Sequence, residues 1–242
     1  MQPQSSSLVS DAVLVDGVAR RFAGRWALRG ASMRARRGEV LAIRGSNGSG
    51  KSTLLRIVAS ALRPTRGTCV VFGHDVVQEA ATVRKLVGLL GHSPALYQDL
   101  TVAENLRFAA RMMGVHDDDQ MIASLISRVA LEAATHERAR TLSSGMQRRV
   151  ALARLMIRPP ALLLLDEPHN SFDAEGVALV NDMMLETSNA GGVTILVTHD
   201  VERVGDIVDR VLTMENGRLL DDLEYDVPSY DASTSAPLEA VR

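Results

Sequence analysis

One short stretch, GSNGSGKST at positions 45–53, constrains this chain more than any other. It fits the pattern G-x-x-x-x-G-K-[ST]. It follows an apolar run, GEVLAIRG (38–45), and opens KSTLLRIVASAL (51–62), where Leu54, Leu55, Val58, Ala61 and Leu62 recur at helical spacing. A strand that breaks into glycines and restarts as a helix is a phosphate cradle. Gly45, Gly48 and Gly50 let the backbone turn tightly, so successive N–H groups can surround phosphate oxygens. The new helix adds the positive end of its dipole. Lys51 supplies a point charge toward the β- and γ-phosphates, and the Ser52 hydroxyl can ligate Mg²⁺. Ser46, Asn47, Ser49 and Thr53 complete the nucleotide-binding set. The competing account is a glycine-rich turn with a chance lysine, and the strand–loop–helix context weighs against it.

The rest of the chain fits an α/β fold. AVLVDGVARRF alternates as a strand does, and TCVVFG and KLVGLLG are read as further strands. LLLLD and TILVTH are continuous apolar runs of strand length, the pattern of buried parallel strands. From about 101 to 158 the pattern is mostly helical. TVAENLRFAARMMG puts Val102, Leu106, Ala109 and Met113 on one face, Thr101 and Glu104 form a capping-box pattern, and Gly114 is a stop. HDDDQ opens another helix. The expected organisation is a flexible lead (1–10), one domain over 11–222 and an acidic, then Ser/Pro/Ala-rich segment (223–242) expected to be poorly ordered. Apolar residues make up 46% of the 242, enough for a sizeable core, while aromatics at 3% require that core to be aliphatic. The net charge of −2 argues against a nucleic-acid binder that relies on a basic surface. Cys69 stands alone, which excludes an intramolecular disulfide and a Cys-rich metal site. The N-terminus lacks the pattern of a signal peptide, and no apolar run is long enough to span a bilayer. A soluble, cytosolic chain is expected.

Two strand ends carry candidate chemistry. ALLLLDEP (161–168) places Asp166 where it could hold the Mg²⁺ shell and Glu167 where it could polarise an attacking water. TILVTHD (194–200) ends in His199. Strand C-terminal ends of a parallel sheet converge on the ligand crevice, so His199 could reach the γ-phosphate. LSSGMQRRVALARLMIRPP (142–160) begins with Ser143 and Ser144, which suit an N-cap, and is read as helical to Pro159. Its bland reading is a capped amphipathic helix with an arginine face. Its sharper reading is a second helix N-terminus offered to phosphate.

Together these motifs resemble the ATP-binding subunits of ABC transporters, over roughly residues 11–220. GSNGSGKST is similar to the family's Walker A, LSSGM to its signature, LLLLDEP to its Walker B, SFD (171–173) to its D-loop, and His199 to its switch histidine. The resemblance implies a P-loop NTPase fold: a RecA-like core sheet, an N-terminal antiparallel β part and an inserted α-helical subdomain near 95–158. It implies ATP and Mg²⁺ as ligands, with Lys51, Glu167 and His199 catalytic. It further implies a homodimer or paired cassettes with ATP at the interface. Ser143, Ser144, Gly145 and Met146 would then contact ATP in trans, and Asp173 would lie at the interface. Ser144 and Met146 depart from the usual signature glycine and glutamine, and Gln147 follows directly. Phe22 matches the position of the aromatic that stacks on adenine, with Trp26 as competitor and core packing as the alternative for Phe22.

His92 lies 41 positions after Lys51 and so occupies the place of the family's Q-loop glutamine, rather than Gln98. It is a candidate Mg²⁺ contact, with a merely structural role as the alternative. The elements GHSPAL, LTVAENLRF and LSSGMQRRVALARL resemble the narrower heme-exporter group used in cytochrome c maturation. Exporters of drugs, lipids or ions share several of them. The implied partners are integral membrane permease subunits at the cytoplasmic face of the cell membrane, not nucleic acid. Soluble ABC ATPases of DNA repair or translation carry coiled coils or two cassettes per chain, which are not seen here. Glu167 and His199 argue against a regulatory module without turnover.

Overall fold

The computed structural model describes residues 11–170, 172–201 and 204–221, and builds from them two sheets and a group of helices. The chain opens with β1 (Asp11–Phe22), β2 (Arg25–Arg36), β3 (Val40–Arg44) and α1 (Lys51–Val58). It continues through β4 (Arg66–Val71), β5 (His74–Asp75), α2 (Ala80–Leu86) and β6 (Val87–Leu90). Three helices follow: α3 (Val102–Met112), α4 (Asp119–Arg128) and α5 (Ser144–Met156). The described chain ends with β7 (Leu162–Asp166), α6 (Ala174–Asn189), β8 (Val193–Val197), β9 (Arg210–Glu215) and β10 (Arg218–Asp221). The lead at 1–10, the segment 223–242 and Ser171 of the SFD stretch lie outside the described residues.

The larger sheet has the order β10-β9-β3-β8-β7-β6. It is parallel from β9 to β6, with β10 antiparallel at its edge. The smaller sheet, β2-β1-β4-β5, is antiparallel. Every residue of β7 is buried, and its leucines alternate between two cores. Leu162 and Leu164 join a cluster with β1, β4 and α1 residues such as Val13, Cys69 and Leu55. Leu163 and Leu165 join Leu152 of α5 and Val180 and Met184 of α6. A strand covered on both faces has no polar side, so its sequence shows no alternation. Each such leucine contributes about 1.5–3 kcal/mol relative to an exposed one.

The helices have a core of their own. Val102, Leu106, Ile122, Ile126 and Val150 form a third cluster. At the start of α3, Thr101 and Glu104 make the reciprocal capping box, and Asp118 caps α4. Three boundaries differ from the sequence reading. α1 stops at Val58 rather than 62, because Ser60 turns left-handed (φ 54°) and the Ala61 and Leu62 amides fold back onto the Arg56 carbonyl. Lys85 and Leu86 end α2 instead of opening β6. α5 ends at Met156, short of Pro159.

Candidate active site

The loop between β3 and α1 is pressed from two sides. A Cβ at Gly45 would lie 2.2 Å from the Met214 carbonyl oxygen of β9, and one at Gly50 would lie 2.5 Å from the Ala27 oxygen of β2. Both glycines also have positive φ, 151° and 113°. Glycine is therefore required at both positions, sterically and conformationally. Gly50 is the N-cap of α1, and no side chain caps that end. Lys51 is buried, its ammonium donating to the carbonyls of Gly45 (2.7 Å) and Ser46 (3.0 Å).

Above this loop lies a cleft of about 400 Å³. Asn47, Gly48, Gly50, Lys51, Ser52 and Thr53 form one wall. Asp166, Glu167 and His199 come to it from the ends of β7 and β8, and His92 from the loop after β6. Four neighbouring strands of one parallel sheet thus deliver their C-terminal ends to one edge. Gly45, Ser46 and Ser49 lie in the loop without lining the cleft. The Ser49 hydroxyl is buried and makes no hydrogen bond among the described residues.

Glu167 has a left-handed backbone (φ 50°), and its amide donates to the Val197 carbonyl at 2.8 Å. This turn carries the carboxylate Oε2 to 2.9 Å from His199 Nδ1. Left-handed backbone at a non-glycine residue costs on the order of 1–3 kcal/mol and persists only where the surroundings enforce it. Asp166, 7% exposed, sits beside it. The Ser52 hydroxyl and the Asp166 carboxylate offer a hard cation two oxygens on one side of the cleft. Among the described residues no group of three or more His, Cys, Asp and Glu forms a metal cage. A divalent ion here would need phosphate oxygens to complete its shell, which is the habit of Mg²⁺.

Other expected residues fall outside the cleft. Gln98 does not line it, and its side chain contacts the Leu96 carbonyl instead. Phe22 ends β1 at 44% exposure, with the Arg20 guanidinium 4.6 Å from its ring centroid, so core packing does not describe it. Trp26 is half-buried near Arg21 and Arg66. Ala27, one residue on, lines the cleft. Ser143 caps α5 by accepting the Met146 amide. Ser143 and Ser144 are exposed and do not reach this chain's own cleft. Met146 packs on the helical cluster, and Gln147 donates to the Ala139 carbonyl at 2.9 Å.

The arginine face expected on α5 is not a solvated face. Arg148 and Arg149 are buried, and Arg154 reaches across to the loop carrying His92. Arg148 donates to the Glu167 carbonyl at 2.9 Å; burial pushes its pKa down, opposed by the charges of Asp166 and Glu167. Arg149 pairs with Asp173 (2.7 Å) and Glu175 (3.1 Å). Burial lowers the Arg149 pKa, but hydrogen bonds to those two carboxylates outweigh it, and the net shift is upward. Asp173 caps α6, and the Gly176 amide, then Arg149, holds its carboxyl below the usual range. Arg154 donates to the Ala95 carbonyl at 2.6 Å, and burial lowers its pKa. Cys69 is buried, its thiol pushed up to about 12 by desolvation and then by Asp75, so it is no nucleophile.

Sequence reasoning missed Asn170, Ala27 and Arg148. Asn170 had a signal: it is a polar residue in the turn that follows Glu167, whose carbonyl accepts its amide. Ala27 had none. Arg148 looks like any helical arginine until the end of β7 is seen beside it.

The sequence profile of the ABC transporter family matches residues 28–170. The daunorubicin resistance ATP-binding protein of Streptomyces coeruleorubidus is 35% identical over 215 residues, covering 88% of this chain and 68% of the relative. The cytochrome c biogenesis ATP-binding export protein of Cupriavidus pinatubonensis is 37% identical over 176 residues, covering 73% and 78%. Among solved structures, cbiO1 of Clostridium perfringens, described as part of the ABC transporter complex cbiONQ, superposes with a TM-score of 0.71. It is 28% identical, and the match covers 87% of each chain.

Proposed function

This chain belongs to the ABC transporter family as an ATP-binding subunit that hydrolyses ATP, and on that premise we propose that it powers export through separate membrane subunits. The observation that carries this reading is the single cleft shared by the glycine loop, Asp166, Glu167 and His199. The loop amides and Lys51 bind the phosphates. Glu167 orients the attacking water, and His199, hydrogen-bonded to that carboxylate, stabilises charge on the γ-phosphoryl group. Ser52 and Asp166 would hold Mg²⁺, with His92 facing the same space; the ion supplies positive charge against the phosphate oxygens. Phe22 offers its exposed ring to adenine from the hairpin whose Ala27 lines the cleft.

The working unit is a head-to-tail pair of cassettes. Ser143, Ser144, Gly145 and Met146 of one copy complete the cleft of the other, with Asp173 at the interface. The exposure of Ser143 and Ser144, away from their own cleft, supports this. ATP favours the closed pair over the open one, and hydrolysis releases it. The helical part passes the motion to a permease at the cytoplasmic face of the membrane. A groove of about 410 Å³ beside α3 supports a partner there. It presents Tyr97, Phe108 and Met112, all exposed, with Tyr97 and Phe108 edge to face at 4.6 Å. Among the described residues no helix is long and apolar enough to cross a membrane, so this chain's described part does not itself form a helical path.

The narrower cargo reading is heme-linked export in cytochrome c maturation, favoured by His92 and by the 37%-identical cytochrome c biogenesis relative. Drug export is the second reading, favoured by the longer match to the daunorubicin resistance protein. Glu167→Gln tests the catalytic reading. The variant should bind ATP and pair, while turnover falls at least about a hundredfold; wild-type turnover would overturn the assignment. Capture of the membrane partner separates the cargo readings: cytochrome c assembly subunits for the first, a multi-helix permease alone for the second.

A further inference from the structure

α5 sends three arginines to three different loops of the cleft side. Arg154 meets the loop after β6, Arg149 meets Asp173, and Arg148 meets the carbonyls at the end of β7. Arg148 stands apart from the others. Its Nη2 lies 2.9 Å from the Glu167 oxygen and 3.4 Å from that of Asp166. It is 6% exposed, its Nε is buried without a hydrogen bond among the described residues, and its guanidinium lies 5.9 Å from the Phe172 ring centroid. Among the described residues it makes no ion pair with a carboxylate. A buried guanidinium used only to fill space is a poor choice, since an apolar side chain of similar volume would avoid the desolvation cost. What this charge does is hold the carbonyls on either side of the Glu167 Cα, where the backbone has turned left-handed.

We propose that Arg148 is a positioning residue for Glu167. From the helix whose N-terminus is Ser143 and Ser144, its guanidinium fixes the Asp166 and Glu167 carbonyls and so keeps the Glu167 carboxylate in its turn against His199. The proposal rests on the reading that Glu167 orients the water. Ser143 and Arg148 are between one and two turns apart on one helix, and Ala151 and Leu152 of that helix pack into the same core as Leu163 and Leu165 of β7. A contact made at the exposed N-terminus of α5 therefore has a direct polar route to the Glu167 turn through the Arg148 side chain. ATP binding does not pass through Arg148, because the phosphate loop lies on β3 and α1.

The test is steady-state ATP hydrolysis by the full chain carrying Arg148→Met or Arg148→Lys, beside Glu167→Gln. Arg148→Met should lower kcat about ten- to a hundredfold, the upper end being the scale of an ångström-sized misplacement of a catalytic group, with the KM for ATP unchanged. Arg148→Lys keeps one charged donor for the Glu167 carbonyl and should recover most of the lost kcat. A loss expressed in KM, or equal kcat for Lys and Met, overturns the proposal. Should Arg148→Met fail to fold, Arg148→Gln takes its place: Lys should exceed Gln in kcat at equal KM, and the reverse order overturns the proposal. Normal turnover by Glu167→Gln would sink both this inference and the reading beneath it. An inactive Glu167→Gln beside a fully active Arg148→Met sinks this inference alone.

Discussion

The chain presents two helix N-termini of opposite kind. That of α1 is capped by Gly50 with no side chain, is wedged between β2 and β9, and faces the cleft. That of α5 is capped by the Ser143 hydroxyl and lies exposed, outside the cleft. An uncapped N-terminus keeps its amide donors for a ligand, whereas a side-chain cap satisfies one of them in advance. The first end is built to take an anion within one chain. The second is capped within its own chain, and in the proposed head-to-tail pair it would gain a phosphate contact from the other copy.

Two substitutions probe this contrast, and a third extends it to the side-chain cap of α6. The largest effect is expected from Gly50→Ala. The added methyl meets the Ala27 carbonyl and imposes strain of about 1–3 kcal/mol, so ATP affinity of the monomer should fall about ten- to a hundredfold. Equilibrium nucleotide titration of the folded variant reads this, and unchanged affinity would mean that the tight fit of the α1 end is incidental. Ser143→Ala comes next. Loss of the cap should cost about 1 kcal/mol in denaturant unfolding. Monomer ATP affinity should stay the same while turnover of the pair drops. If monomer affinity fell as well, the two ends would not be separate in function.

Asp173→Ala should give the smallest effect, and one that depends on pH. The Gly176 amide and Arg149 hold the folded carboxyl below its ordinary range. Its contribution is therefore present above the unfolded pKa, near 4, and is lost as pH falls through the folded value. Thermal melting of wild type and variant should differ at pH 7 and converge in strong acid. A gap that widens in acid contradicts the assigned cap.

Continuous apolar runs made β7 and β8 legible, because strands covered on both faces need no polar alternation. The glycine loop was legible because few sequences permit its backbone. β2 was harder. Leu28, Ala31, Met33 and Ala35 are buried, yet their spacing is broken by Gly30 at φ 92° and by register shifts against β1. A bulge moves the side-chain period without leaving a composition signal. In the site, the grouping of Lys51, Asp166, Glu167 and His199 follows from strand ends sharing an edge, and is visible once the strands are. The burial of Arg148 and Arg149 is not. It depends on carbonyls and carboxylates 18 to 26 positions away, and an arginine reads the same in sequence whether water or a peptide oxygen receives it.

The left-handed backbone at Glu167 has a consequence for how this chain can vary over time. Glycine would occupy φ 50° without strain, so selection for folding alone favours it there. Retaining glutamate makes this turn a standing stability deficit, tolerated while the protein stays above the threshold that its function requires. Lineages that lose the need for turnover are expected to relax this position early, well before the leucines of the neighbouring strand.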